Sequence, residues 1–556
     1  MKKVWKGAAA AISAAAIAAT GFIGVNAANA ATITLGNETN AGGVFDVAGR
    51  TFAVYQIMTG TVATDNTITD AKWGTNAKQY NSAEGANNAV TQQQIKDLKN
   101  LLNGKTTDAA KGKALYDAYV NTSSTAVATL NKGNQSAADL AAGWYVVVET
   151  TETMPEDTSK ALYMFSALST DETLTLKPKT TPGPDFIKKV QENTKDVKTP
   201  NPADNRIDTT NKWNDIADYN IGDDVPFKLT ATLPSDYADY SEYKLVFTDT
   251  RGPGFDAPKD IVVKAGAHTL TADTHYATST IGQVMTVTLE NIKAEAFKDL
   301  GIVAGTNITI DYKMRLNDSA VIGGNGNPNT AQLEYSNNPN SNGTGTSHEE
   351  YTKTFTYKID GTKKQAGTEN TLAGAKFVLQ RKSDGKFQAT TADGKTEWIP
   401  IGGVTDSSTS AAVADVVKDT NVKVSTSKAD GEFGFTGLDY GEYNLWEIEA
   451  PANFTLPTTP FAVNVTSATD NMQDLGAINT TDGLTSVGAT IAGTAIDGNK
   501  TDGKYTGVID FSIENSSTSA LPETGGMGTT MLYVAGGAIV LIAGIGMAVA
   551  LRRRQA

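Results

Sequence analysis

The stretch Tyr443-Asn444-Leu445-Trp446-Glu447-Ile448-Glu449-Ala450-Pro451-Ala452-Asn453-Phe454 decides how this chain is read. Tyr440 to Ile448 is rich in aromatic and branched residues and reads as a strand, on which residues two apart face the same side. Tyr443, Leu445 and Glu447 therefore share one face. A carboxylate on an apolar face is costly unless it is paired or neutral, so Glu447 is expected to hold its proton well above the ordinary carboxylate range.

Two other polar side chains fall on apolar faces of the surrounding sequence. Phe511, Ile513 and Asn515 line up near the end of this segment, and Phe355, Tyr357, Ile359, Gly361 and Lys363 near its start. Brought into one core, the three form a reactive set. A desolvated lysine gives up its proton and becomes a nucleophile, while a neutral carboxylic acid polarises the asparagine carbonyl and relays the proton. The product is a Lys–Asn isopeptide bond, with loss of ammonia. Lys358 lies in the same strand in a comparable Lys-Ile-Asp context and stays an alternative to Lys363.

The stretch quoted first closely resembles the E box of Gram-positive pilins, with Ile448 where Thr is usual and Asn453-Phe454 where Gly-Tyr is usual. Upstream, Leu372-Ala373-Gly374-Ala375-Lys376-Phe377 resembles the LAGAxF start of the B-type repeat domains of collagen-binding proteins. The resemblance implies a β-sandwich over residues 351–515, stapled by an isopeptide bond between Lys363 and Asn515 with Glu447 as the catalytic acid.

Residues 183–350 alternate in short runs, Phe227 to Leu233, Lys244 to Thr248, Gln283 to Leu289 and Ile308 to Leu316, parted by Gly, Pro, Asn and Asp. That is the pattern of a β-sandwich. Leu245, Phe247 and Asp249 share a face, as do Leu333, Tyr335 and Asn337; at the start, Phe186, Lys188 and Val190 align better than Ile187, Lys189 and Gln191. Phe247-Thr248-Asp249-Thr250 resembles the acid-bearing strand of the A-type repeats. The resemblance implies a second bond, Lys188 to Asn337 with Asp249 as acid, with Lys189 and Asn338 as register alternatives. Asn317 to Ser347, crowded with Asn and Gly, reads as mostly loop.

Residues 31–182 mix strands, among them Gly143 to Val148 and Ala161 to Leu168, with one helix over Val90 to Leu102, where Ile95, Leu98, Leu101 and Leu102 recur at helical spacing. Lys177-Pro178-Lys179-Thr180-Thr181-Pro182-Gly183-Pro184 then reads as a stiff, exposed linker. Lys177-Pro178-Lys179 partly resembles the pilin motif, with Leu176-Lys177 replacing Val-Tyr and Thr180 replacing Asn. The resemblance implies that Lys179 is the amine to which the next subunit is joined.

Lys2, Lys3 and Lys6 precede an apolar run from Gly7 to Val25 that ends in Ala28-Asn29-Ala30, which reads as a cleaved signal peptide over residues 1–30. At the other end, Leu521-Pro522-Glu523-Thr524-Gly525 precedes an uncharged run, Met531 to Leu551, long enough to cross the roughly 30 Å hydrocarbon core as a helix. Arg552, Arg553 and Arg554 hold its far end in the cytoplasm. These three parts in order resemble the cell-wall sorting signal of Gram-positive surface proteins. That implies sortase cleavage between Thr524 and Gly525 and transfer of the Thr524 carbonyl to an amine.

The 556 residues accommodate roughly three or four domains. With no cysteine, disulfides, thiolate metal sites and cysteine nucleophiles are excluded. The net charge of −14 becomes −20 once the two cut ends take their six cations, which argues against a nucleic-acid partner. His268, His275 and His348 fall in turn-rich segments without a nucleophile motif, and the run Asp497 to Gly503 lacks calcium-loop spacing. No cofactor or metal is expected.

The expected fold is mainly β: three tandem immunoglobulin-like β-sandwiches of the collagen-binding-repeat A and B types, at 31–182, 183–350 and 351–515, the first with an added helix. A signal peptide (1–30) precedes them, and a stem, sorting signal, transmembrane helix and basic tail (516–556) follow. The chain resembles the backbone subunit of sortase-assembled Gram-positive fimbriae, similar to those of actinobacteria such as Actinomyces and Bifidobacterium. The resemblance implies a structural protein rather than an enzyme, polymerised head to tail through Thr524 and Lys179, anchored to peptidoglycan and supporting adhesion. Its implied partners are a class C pilin sortase, a housekeeping sortase, further copies of the chain, accessory pilins, peptidoglycan and a host glycan or matrix protein. A monomeric wall-anchored adhesin or a minor tip or base pilin is the alternative, and it has no need of Lys179.

Overall fold

A computed structural model describes residues 30–518 apart from 37–38, 41–42, 45–48, 85–87, 179–180, 198–206, 406 and 470–482. The expected signal peptide up to Asn29, Lys179, the expected sorting signal Leu521 to Gly525 with its Thr524, and the apolar span from Met531 lie outside the described residues. Among the described residues no helix is long and apolar enough to cross a membrane.

The chain is mainly β and builds three sandwiches in sequence. In the first, a three-stranded sheet places Ala31–Leu35 between Thr173–Leu176 and Ser136–Leu140. A five-stranded sheet carries Thr51–Val62 and Gly143–Glu149 at its centre. Their apolar faces bury Ile33, Leu35, Phe52, Tyr145 and Val147. The helix expected from Val90 starts at Gln92 because Thr91 caps it. Thr91 Oγ1 accepts from the Gln94 amide, and Gln94 returns a carboxamide oxygen to the Thr91 amide, a reciprocal cap. A second helix, Asp108–Tyr119, went unforeseen, and both pack on the outer face of the larger sheet through Leu98, Leu115 and Tyr119.

The middle sandwich faces a six-stranded sheet containing Asp185–Gln191, Asp224–Thr232 and Asn307–Arg315 against a seven-stranded sheet containing Glu350–Phe355, Asn327–Ser336, Leu245–Arg251 and Val284–Leu289. Alternation along Asp224–Thr232 buries Val225, Phe227, Leu229 and Ala231. Each such large side chain withdrawn from water contributes about 1.5–3 kcal/mol before chain entropy is subtracted. The segment Asn317 to Ser347 is loop over most of its length, but not throughout. Asn327–Ser336 is a ten-residue strand, hydrogen-bonded on one side to Leu245–Arg251 and on the other to Glu350–Phe355, and the ladder overrides the low strand preference of its asparagines.

The third sandwich sets a three-stranded sheet, Glu432–Leu438, Tyr357–Gln365 and Val508–Asn515, against an eight-stranded one centred on Lys376–Arg381, Gly441–Glu449 and Phe461–Thr469. Its first and last strands run parallel and adjacent, Lys363 opposite Ile513 and Gln365 opposite Asn515. Polar contacts join neighbouring sandwiches. Arg381 reaches Asp223 at 2.5 Å, and His348 lies between Asp157 at 2.7 Å and Glu350 at 3.1 Å.

Candidate functional site

In the third sandwich, alternation along Tyr357–Gln365 turns Tyr357, Ile359, Gly361 and Lys363 inward. Val508–Asn515 does the same with Ile509, Phe511, Ile513 and Asn515. Glu447 enters from the facing sheet, opposite Phe377. Lys363 and Glu447 are fully buried and Asn515 is 2% exposed. Lys363 Nζ lies 2.8 Å from Glu447 Oε2 and 2.5 Å from Asn515 Oδ1, and Asn515 Nδ2 donates to Glu447 Oε1 at 2.5 Å. Lys358 instead sits at the surface, in an ion pair with Asp360.

Burial pushes the Lys363 amine below the ordinary lysine range and Glu447 above the ordinary carboxylate range, and each opposes the other's shift only in part. Both shifts favour the uncharged pair. The carboxyl presents one oxygen to the attacking amine and the other to the amide nitrogen that must leave. It can take a proton from the first and deliver one to the second. The arrangement can form a C–N bond between Lys363 Nζ and Asn515 Cγ, break the Cγ–Nδ2 bond and release ammonia, with no oxidant or cofactor in the balance.

The middle sandwich holds a second buried set. Lys188, fully buried on Asp185–Gln191, donates to Asp249 and to the Tyr312 hydroxyl at 2.8 Å. Tyr312 donates to Asp249 at 2.6 Å, and Asn329 donates its carboxamide to Tyr312 at 3.2 Å. Burial lowers the Lys188 amine and raises the Tyr312 phenol well above its usual range. Lys189 points to the opposite face and pairs with Asp215 at 2.6 Å.

Asn337 is not beside Lys188, which corrects the expected partner. It lies past the end of Asn327–Ser336, against Gly345, with its carbonyl accepting from the Lys160 amide at 2.7 Å. Asn338 turns to Ser341. Asn329, eight residues upstream on the same face, is the asparagine at the Lys188 set. It is fully buried, and its Oδ1 has no hydrogen-bond partner among the described residues. Tyr312 and Asn329 are the residues that the sequence reading missed. Inward alternation along Ile308, Ile310, Tyr312 and Met314 is the signal that points to the first.

Residues 221–339 match the family model of the Gram-positive pilin backbone subunit 2, Cna-B-like domain, and residues 357–480 match the SpaA prealbumin-like fold domain. The middle sandwich thus matches a pilin backbone family model and the third a prealbumin-like one. The trypsin-resistant surface T6 protein of Streptococcus pyogenes serotype M6 is 25% identical over 302 residues, 44% of this chain and 48% of that protein. The chain thus matches about half the length of this curated relative. Among solved structures, the T6 backbone pilin of serotype M6 S. pyogenes aligns over 89% of this chain and 100% of its own, at 17% identity and a TM-score of 0.50. The full-length major pilin SpaD of Corynebacterium diphtheriae aligns over 89% and 99%, at 17% identity and a TM-score of 0.48. The first of these shares the modular, three-domain β architecture. The middle and third sandwiches, in which these two matches fall, each contain one of the buried lysine sets.

Proposed function

We propose that the chain is the shaft subunit of a covalent pilus on a Gram-positive cell surface. The observation that carries this reading is the Lys363–Glu447–Asn515 set, which ties the first strand of the third domain to the last, inside a domain of pilin type. In this reading Lys363 is joined to Asn515 with Glu447 as acid, and Lys188 is joined to Asn329 with Asp249 as acid and Tyr312 between them. Each bond forms once, by the chain's own groups. No turnover follows, and no cofactor takes part.

A pilin sortase then cleaves Leu521-Pro522-Glu523-Thr524-Gly525 after Thr524 and passes its carbonyl to Lys179 of another copy. A housekeeping sortase transfers the last subunit to peptidoglycan. Because the two joined residues are different positions of the chain, the linkage is head to tail, and a heterologous contact of this kind extends into a fibre instead of closing a ring. Tension along the fibre passes through covalent bonds rather than through hydrogen-bonded ladders alone. Immunoblots of cell-wall extracts test the linkage. The wild-type chain is expected to give a high-molecular-weight ladder and Lys179→Ala a single band, and a ladder that persists in Lys179→Ala overturns this linkage.

A further inference from the structure

The first domain repeats the strand plan of the third so closely that positions can be equated one by one. Leu35 donates its amide to Gln135, the residue before Ser136–Leu140, as Lys363 donates to Gly431, the residue before Glu432–Leu438. Thr34 is opposite Ser136 as Thr362 is opposite Glu432. Leu35 is opposite Leu176 on the parallel last strand as Lys363 is opposite Ile513. Two residues further on, Pro178 occupies the place of Asn515, and both are buried.

The acid strand repeats as well. Glu149 is opposite Phe52 as Glu447 is opposite Phe377. Tyr145 and Tyr443, four residues before each acid, donate their hydroxyls to the carbonyl four residues earlier, of Ala141 at 2.5 Å and of Asp439 at 3.0 Å. The first domain therefore keeps the acid in place while Leu35 and Pro178 stand where the lysine and asparagine belong. A buried carboxylate without a cation is costly. Arg50, 4% exposed, meets both Glu149 oxygens at 3.1 and 3.0 Å and also donates to the Ser159 carbonyl at 3.1 Å. Thr151 Oγ1 and the Ala161 amide complete the carboxylate's shell at 2.7 and 2.6 Å.

We propose that the first domain contains a disabled isopeptide site, in which Leu35 and Pro178 remove the reacting pair and Arg50 converts the surviving acid, Glu149, into a fixed ion pair. This rests on the bond chemistry proposed for the third domain. The reaction that the position lost is the one described there: amine attack on the carboxamide carbon, loss of ammonia and proton relay through the acid. The Arg50 guanidinium engages both Glu149 oxygens, with Thr151 Oγ1 and the Ala161 amide on the same carboxyl, so neither oxygen is left open to pass a proton between an amine and an amide. The ion pair also fixes the segment from Thr150 to Ala161. That segment clasps the linker through the Ser159 amide on Thr181 and the Gly183 amide on Asp157.

The full chain, digested and mapped by tandem mass spectrometry, tests the assignment. Wild type is expected to show no Lys–Asn link within residues 31–178. The triple variant Leu35→Lys, Pro178→Asn, Arg50→Ala is expected to gain a link between positions 35 and 178, lighter by one ammonia, and to lose it again when Glu149→Gln is added. A link inside the wild-type first domain overturns the proposal. So does a folded triple variant without the new link, or a triple variant that fails to fold, since either denies that the position accepts the set. The third-domain link in the same digests separates the two levels: its presence with no new link sinks this inference alone, and its absence sinks the bond chemistry beneath it.

Discussion

Lys363 Nζ stands 2.5 Å from Asn515 Oδ1 across two parallel neighbouring strands, although 152 positions separate the residues in the chain. A bond there closes nearly the whole third domain into one loop. In the chain-entropy account a cross-link over a loop of this size stabilises the fold by about 5 kcal/mol, through restriction of the unfolded chain. Glu447→Gln keeps the shape of the acid but cannot relay a proton. The variant is expected to retain its ammonia and to unfold at lower denaturant in the transition of that domain. An unchanged mass deficit in Glu447→Gln excludes Glu447 as the acid.

In the middle domain, Asn329→Ala is expected to abolish the Lys188 link, and Asn337→Ala to leave it intact. Intact masses of the two variants, side by side, discriminate between the partners. Tyr312→Phe removes the hydroxyl that bridges Asp249 and Asn329 and is expected to slow bond formation in freshly folded chain, with the packing of the ring against Phe227 retained.

The junction between the first and middle domains titrates through His348. Hydrogen bonds to Asp157 and then Glu350 raise its imidazole to about 10, above the value of about 6.5 for an unperturbed histidine. A raised folded-state value means that this contribution is complete below about 6.5 and is lost as the pH rises through about 10. Amide protection in residues 150–178, taken relative to the intrinsic exchange rate at each pH, is expected to fall between neutral pH and pH 10 in the wild type. In His348→Gln it should already be low at neutral pH and show no such step.

The junction between the middle and third domains has the opposite chemistry. Burial, and then Asp218, push Glu192 from 4.5 up to about 8, while Lys195 pulls it down, and burial also holds nearby Asp439 well above its usual range. Carboxyls that keep their protons only when folded bind more protons in the native state, so stability falls as the pH rises from 4.5 toward about 8. Glu192→Gln is expected to flatten that fall in denaturant midpoints taken across this range. An equal slope in the variant assigns the titration to another group.

Alternation made much of this architecture legible in the sequence. The inward faces that end in Lys363 and Asn515, and the acid at Glu447, follow from a period of two and need no knowledge of pairing. Asn329 and Asn337 show where that stops. They lie eight positions apart and share a face, so parity cannot choose between them; only the pairing of Asp249 with Ala331 fixes which one reaches Lys188. The second helix of the first domain escaped because Ala, Lys and Gly dominate it and its apolar face is weak. Glu149 was hidden for a simpler reason: the strand was expected to end at Val148, one residue short of the acid, and neither a lysine nor an asparagine stood at the matching ends to suggest a set.

The central claim is that this cysteine-free chain is stapled by its own amide bonds. Tandem mass spectrometry of the folded, full-length chain after trypsin digestion tests it most directly. Branched peptides joining Lys363 to Asn515 and Lys188 to Asn329, each lighter by one ammonia, are expected. Linear peptides with an unmodified Lys363 and an intact Asn515, recovered from folded protein, would contradict it.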